Sequence, residues 1–268
     1  MQKRRTILIV TAAFFLLSAC AFGGSKAAPT ATPVPPPTAE PTPIPTPTPI
    51  DLTVVLSSHE SEVHDNEMMM DIFLYQPVMD QPESKAGGFN QTVETLVQTN
   101  INSFTDIVTD NMDDQAALSE TFAFNSLYLE YYPTNTEHGI ISIHFTVSTY
   151  IMGAAHPFSY SSTLNYNLAQ EKTLQLEELF LPGSDHLNVL STQSIQIISE
   201  NGYMDWPEGA APTSENYRNW NVTPDGILIS FDPYQIAPGA VGPQQALVPY
   251  AALESMIDRD GPLGVFLP

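Results

Sequence analysis

The spacing of apolar residues changes period several times along this chain, and each period predicts an element. Leu52, Val54 and Leu56 alternate with polar neighbours, the two-residue period of a half-buried strand. Residues 68–75, Met-Met-Met-Asp-Ile-Phe-Leu-Tyr, read as a second strand stopped at Pro77. After Gly87-Gly88 the steps lengthen to three and four residues. Phe89, Val93, Val97, Ile101, Phe104 and Val108 then form one stripe of a long helix, with Gln91, Glu94, Gln98 and Asn102 on its polar face.

Alternation returns as a meander. Phe122, Phe124, Tyr128 and Tyr132 mark the apolar side of one strand, residues 135–139 turn the chain, and Ile141, Ile143, Phe145, Val147 and Ile151 share a face of the next. Over residues 158–168, Phe158, Tyr160, Leu164, Tyr166 and Leu168 lie on one side and Ser159, Ser161, Thr163 and Asn165 on the other. After a turn at residues 169–172 comes a helical turn over residues 176–180, ended by Pro182-Gly183. Ser184 or Asp185 then caps a helix carrying Leu187, Leu190, Ile195 and Ile198, which stops at Asn201-Gly202. Residues 203–215 are rich in Pro and Gly and read as a mobile surface loop carrying Trp206. Thr223-Pro224-Asp225-Gly226 is a strong turn signal, leading from an upstream hairpin partner into a strand over residues 227–231. Pro249 opens a last helix with Leu253, Met256 and Ile257 on its apolar side. Strands with one packed and one wet face, interleaved with amphipathic helices, make the fold class α+β: an antiparallel sheet with helices packed on one face.

The first fifty residues follow a different logic. Lys3, Arg4 and Arg5 precede an apolar run over residues 6–18 and then Ala19 and Cys20, the layout of a secretory signal peptide. That run is too short to span a bilayer core, which needs about 20 helical residues. Residues 27–50 hold ten prolines among Thr, Ala and Val. Proline fixes φ and cannot donate a backbone hydrogen bond, so the stretch is expected to be a disordered, extended stalk. At ~3.1 Å per residue its reach is on the order of 70 Å. The expected organisation is a signal peptide over residues 1–20, a linker over 21–50, a small strand-strand-helix module over 51–115 and a larger α+β domain over 116–268.

Charge narrows the choice of partner. The chain holds 8 Lys and Arg against 30 Asp and Glu, and beyond Asp51 the basic residues are Lys85, Lys172, Arg218 and Arg259 alone. Such a negative field repels nucleic acid and anionic lipid and attracts cationic proteins, peptides or metal ions. Solubility is the plainer account of the same charge. No disulfide is available to the folded part, because Cys20 is the one cysteine of the chain.

Candidate chemistry is sparse. His59-Glu60-Ser61-Glu62-Val63-His64 resembles a zinc-protease motif, but its histidines stand five apart and do not share a helix face, so a solvated loop is expected. Asp110-Asn111-Met112-Asp113-Asp114 lacks the central Gly and closing Glu of a calcium loop. There is no G-x-S-x-G elbow and no phosphate loop. No catalytic residue, metal or cofactor is assigned, although paired acids are numerous enough to leave glycosidase chemistry open by counting. His156, between a small-residue corner and Pro157, is expected to fix a tight turn or touch a ligand. Trp206, Tyr217 and Trp220 are candidates for an aromatic contact surface, with core burial the competing account for Trp220. Tyr234, in the Asp232-Pro233-Tyr234 corner, completes the set of candidate ligand-binding residues.

Two resemblances follow from particular residues. Leu17-Ser18-Ala19-Cys20 resembles the lipobox of bacterial lipoproteins, which implies that Cys20 is lipidated and becomes the mature N-terminus on the outer face of a membrane. Gly153-Ala154-Ala155-His156-Pro157, then Leu174-Gln175-Leu176-Glu177-Glu178-Leu179-Phe180, then Phe231-Asp232-Pro233-Tyr234-Gln235-Ile236-Ala237-Pro238 resemble, in that order, the extracytoplasmic domain of RsiV-type anti-sigma factors. The same domain occurs ahead of the catalytic domain in PdaC-type peptidoglycan deacetylases. The resemblance implies a non-catalytic domain that binds lysozyme outside the cell. The sequence shows no sigma-binding segment, so the anti-sigma role is not expected. The leading expectation is a membrane-anchored binding or sensor domain for a cationic protein such as lysozyme, or for peptidoglycan. A wall-polymer hydrolase and a structural envelope lipoprotein are the alternatives.

Overall fold

The computed structural model describes residues 53–81, 83–115 and 124–268. Cys20, the Pro/Thr-rich stretch, Leu52 and Phe122 lie outside them. Six strands lie side by side in chain order: β1 (Leu56–Asp65), β2 (Met70–Met79), β3 (Asn125–Asn135), β4 (Ile140–Tyr150), β5 (Phe158–Asn167) and β6 (Lys172–Thr173). Every pairing is antiparallel except β2 with β3. Parallel neighbours need a long crossover, and α1 (Glu83–Asp110) with the short α2 (Met112–Gln115) lies within it. α1 buries Phe89, Val93, Val97, Phe104 and Val108 in one cluster with Ile72 and Leu74 of β2, Leu127 and Leu129 of β3, and Ile141, Ile143 and Phe145 of β4. The expected stripe is therefore the buried one, with Ile101 at its margin. The helix starts before Gly87-Gly88 rather than after it, and Gly88 faces Tyr166 of β5. A Cβ there would stand 2.6 Å from Tyr166 Oη.

Three local expectations need correction. The first strand begins at Leu56 and takes in residues 59–64, so the two histidines lie on an exposed edge strand and not in a loop. Odd spacing sends them to opposite faces. β2 runs through Pro77 to Met79. Met79 N–H points away from β1 to Asn90 Oδ1 at 2.9 Å, and Pro77, two residues earlier, shares that direction. Pairing with β3 ends at Leu74, so the missing N–H interrupts no ladder. In β3 the faces are exchanged: Leu127 and Leu129 are buried, whereas Phe124, Tyr128 and Tyr132 are exposed. Aliphatic side chains meet α1, and the tyrosines, with Glu130 between them, face water.

The second layer begins after β6. The helical turn at Leu176–Leu179 and α3 (His186–Glu200) appear where expected. β7 (Trp220–Val222), β8 (Gly226–Phe231) and β9 (Gln244–Pro249) form a separate antiparallel sheet, followed by the single turn α4 (Tyr250–Leu253). β8 has the expected upstream hairpin partner. Pro249 ends β9 and precedes the last helix as expected, but that helix is a single turn: residues 254–256 leave it as a turn, and Ile257 bridges to Phe180. Residues 203–215 are pinned and not loose. Asp205 and Trp206 N–H both donate to Ile236 O, at 3.0 and 2.9 Å, and Ala210 is fully buried. Gly209 permits this: a Cβ there would fall 1.8 Å from Gln235 O.

The two sheets meet through polar groups. Ser142 and Asn165 are opposed on the face of β4–β5 away from α1. Val222 N–H donates to Ser142 Oγ at 2.9 Å, Asn165 Nδ2 donates to Trp220 O at 2.8 Å, and Thr134 Oγ1 donates to Val222 O at 2.9 Å. β7 is thus seated on one end of the main sheet's outer face. The rest of that face is left open.

Candidate functional site

Strand alternation decides what this outer face carries. Register places Glu62 opposite Phe73, Phe73 opposite Tyr128, and Tyr128 opposite Ser148. A second row runs from Glu130 to Thr146 and Ser161. Glu60, Glu62, Tyr75, Tyr128, Glu130 and Tyr132 are all exposed. Phe73 and Tyr128 stack with ring centroids 4.5 Å apart, which fixes the centre of an aromatic strip. Tyr132 Oη donates to Glu130 Oε2 at 3.0 Å, and this carboxylate raises the phenol above its usual titration range. At the outer edge His64 Nδ1 lies 2.7 Å from Asp71 Oδ1, a bond that raises the exposed imidazole above 6.5. β1 to β5 contain no lysine or arginine. The open end of the sheet is therefore an acidic surface with tyrosines set into it.

Toward the second sheet this surface dips into a cleft of about 440 Å³. Tyr132, Thr134, His144, Thr146 and Ser161 line it from the main sheet, and Leu228, Pro243 and Gln245 from the other side. Burial lowers the His144 imidazole below 6.5, and the neighbouring Asn221 amide and Asp232 carboxylate offset this only in part. The ring is consequently neutral at physiological pH. A wider recess of about 590 Å³ adjoins it through Tyr160 and Ser161 and is lined by Phe158, Arg218, Asp232 and Tyr234. Asp232 is committed there. It accepts from Ser161 N–H at 2.7 Å, Arg218 Nη2 at 2.7 Å and Asn219 Nδ2 at 3.2 Å, so it ties the second sheet to the free edge of β5.

The residues singled out in the sequence do not converge. Cys20 lies outside the described residues. His156 is exposed at the β4–β5 corner, its Nδ1 2.9 Å from Pro157 O. Trp206 is half-buried. Tyr217 is fully buried, donates to Ala210 O at 2.8 Å and packs edge-on against Phe231, and Trp220 is 5% exposed in the same core. Those two cannot form an exposed contact surface, because both are packed into one core with Ala210, Phe231 and Ile236. Tyr234 is exposed and lines the recess, with a left-handed backbone at φ 67°. Tyr75, Tyr128 and Tyr132 were missed as surface residues. Glu130 was the available signal, since it shares its phase with Tyr128 and Tyr132 and marks that side as wet. Among the described residues no cluster of three or more His, Cys, Asp or Glu could hold a metal ion.

The fold is seen elsewhere. Residues 177–251 match the family described as "Protein of unknown function (DUF3298)". The chain is 27% identical over 138 residues to the peptidoglycan-N-acetylmuramic acid deacetylase PdaC of Bacillus subtilis (strain 168), covering 50% of this chain and 29% of that protein. It is 31% identical over 113 residues to the immunogenic protein MPT64 of Mycobacterium tuberculosis (strain H37Rv), covering 39% and 47%. The esterase Rv3036c of the same strain is 29% identical over 109 residues, covering 38% and 46%. This chain thus spans less than half the length of these curated relatives. A crystal structure of a DUF3298 family member from Bacteroides fragilis NCTC 9343 superposes with a TM-score of 0.52 at 17% identity, over 77% of this chain and 95% of that one. At that identity the likeness concerns the fold alone. Among the described residues no helix is long and apolar enough to cross a membrane.

Proposed function

We propose that this protein is a non-catalytic binding domain, anchored through a lipid on Cys20 to the outer face of a bacterial membrane, that captures a cationic protein of the lysozyme kind. The observation that supports it is the open face of β1–β3. Glu60, Glu62 and Glu130 surround exposed Tyr75, Tyr128 and Tyr132, with no basic residue on any of the five long strands. Carboxylates at the rim steer a cation at long range, and tyrosines supply rigid contact area once it docks. The resemblance to RsiV-type extracytoplasmic domains supports the same partner. A calorimetric titration with egg-white lysozyme tests it: binding at low ionic strength that weakens steeply with salt is expected. No binding at low salt discards this partner.

The names of two relatives favour a second reading, in which the domain hydrolyses an ester or amide of wall polymer. Asp232, the carboxylate lining the recess, is held by three donors, which suits a structural tie better than proton transfer. Steady release of acetate from an acetylated wall polymer, abolished by replacing one carboxylate, would establish that reading instead.

A further inference from the structure

We propose that the cleft between β4–β5 and the second sheet binds one pyranose residue of an uncharged glycan. Its volume of about 440 Å³ falls among small-ligand sites, which run from about 300 to 1,000 Å³. In a chain with 30 acidic residues, none of the residues lining this cleft is Asp, Glu, Lys or Arg. A charged ligand entering it would shed water without meeting a counter-charge, so a neutral one is favoured.

The polar groups present suit hydroxyls. Thr146 and Ser161 face each other across the β4–β5 ladder, and neither side chain hydrogen-bonds to another described residue. Gln245 gives Nε2 to Ser230 Oγ at 3.1 Å, which leaves its Oε1 as an acceptor. His144 presents a neutral ring. Donors and acceptors of this kind match sugar hydroxyls, each of which both donates and accepts. Tyr132, 54% exposed and oriented by its bond to Glu130, offers a ring at the rim for the C–H face of a pyranose. The inference rests on the reading of this domain as a binding module but not on its cationic partner.

Titrating the full chain with tetra-N-acetylchitotetraose and with cellotetraose, both uncharged, tests it. We expect at least one to bind with a Kd on the order of 1 mM or tighter, independent of salt, and tetragalacturonate not to bind. Thr146→Val, which keeps the side-chain shape, and Gln245→Leu should each weaken binding about tenfold while thermal unfolding stays as in the parent. The proposal is overturned if neither neutral oligosaccharide binds, if both substitutions leave affinity unchanged, or if tetragalacturonate binds equally well. Lysozyme affinity, titrated separately on the Thr146→Val protein, should match the parent, so failure of the cleft and failure of the acidic face are read apart.

Discussion

Replacing Ser142 by alanine probes the seam that seats the second sheet on the first. The hydroxyl is fully buried and lies 2.6 Å from Asn165 Oδ1, 2.9 Å from Val222 N, 2.9 Å from Thr134 Oγ1 and 3.0 Å from Asn221 Nδ2. Not all of these partners would be stranded. Val222 N–H keeps Asn165 Oδ1 at 3.2 Å, and Thr134 keeps the carbonyls of Ser142 and Val222. Asn221 Nδ2 has no second acceptor among the described residues. One orphaned buried donor costs about 1–3 kcal/mol, and the weakened neighbours add about 0.5 kcal/mol more. A loss of about 2–3 kcal/mol lowers the unfolding midpoint of a domain this size by roughly 5–10 °C. Thermal and urea unfolding of Ser142→Ala should show this. Ser148→Ala, six residues along the same strand face, removes only the bond that its hydroxyl accepts from Ser159 Oγ at 3.0 Å and should stay within about 1 kcal/mol of the parent. Equal shifts in the two variants would refute the seam.

Two further outcomes follow from buried groups. Gly88→Ala drives a methyl against the Tyr166 hydroxyl and should destabilise by about 1–3 kcal/mol, less the gain of alanine in a helix. Tyr166 Oη is itself buried without a partner, so Tyr166→Phe should cost nothing and should rescue Gly88→Ala in a double-mutant cycle. The cycle fails if the two effects simply add. His144 titrates below 6.5 in the folded state, so its contribution is complete above pH 6.5 and is lost as pH falls through the folded value. His64 has the opposite sign but is exposed. Urea midpoints from pH 7 downward should therefore decline less in His144→Gln than in the parent, and parallel declines would remove the argument.

The pattern of residues was most legible where one strand face is wholly aliphatic. Ile141, Ile143, Phe145 and Val147 admit only one phase, and so do the stripe positions of α1. β3 admits two, because leucine and tyrosine alternate within it; the choice depends on α1 covering one face, which is a tertiary fact. β9 was unreadable as a strand, since Gln244-Gln245-Ala246-Leu247-Val248-Pro249 is short and ends in a residue that also starts helices. Tyr217 and Trp220 looked like surface aromatics beside a Pro- and Gly-rich segment. That segment instead folds back onto Ile236 and encloses them. The cleft had no local signature at all. Thr146, Ser161 and Gln245 are ordinary polar residues until register and the second sheet bring them together.

The claim that a particular face, and not bulk charge, captures a cationic partner is tested by moving the same charge loss around the molecule. Glu60→Gln/Glu62→Gln/Glu130→Gln neutralises the tyrosine-bearing face, and Glu94→Gln/Asp106→Asn/Glu200→Gln neutralises three exposed acids on the helices. Lysozyme affinity at low salt should fall at least about tenfold in the first variant and stay within about twofold of the parent in the second. Equal losses in both variants, or none in the first, would contradict the account.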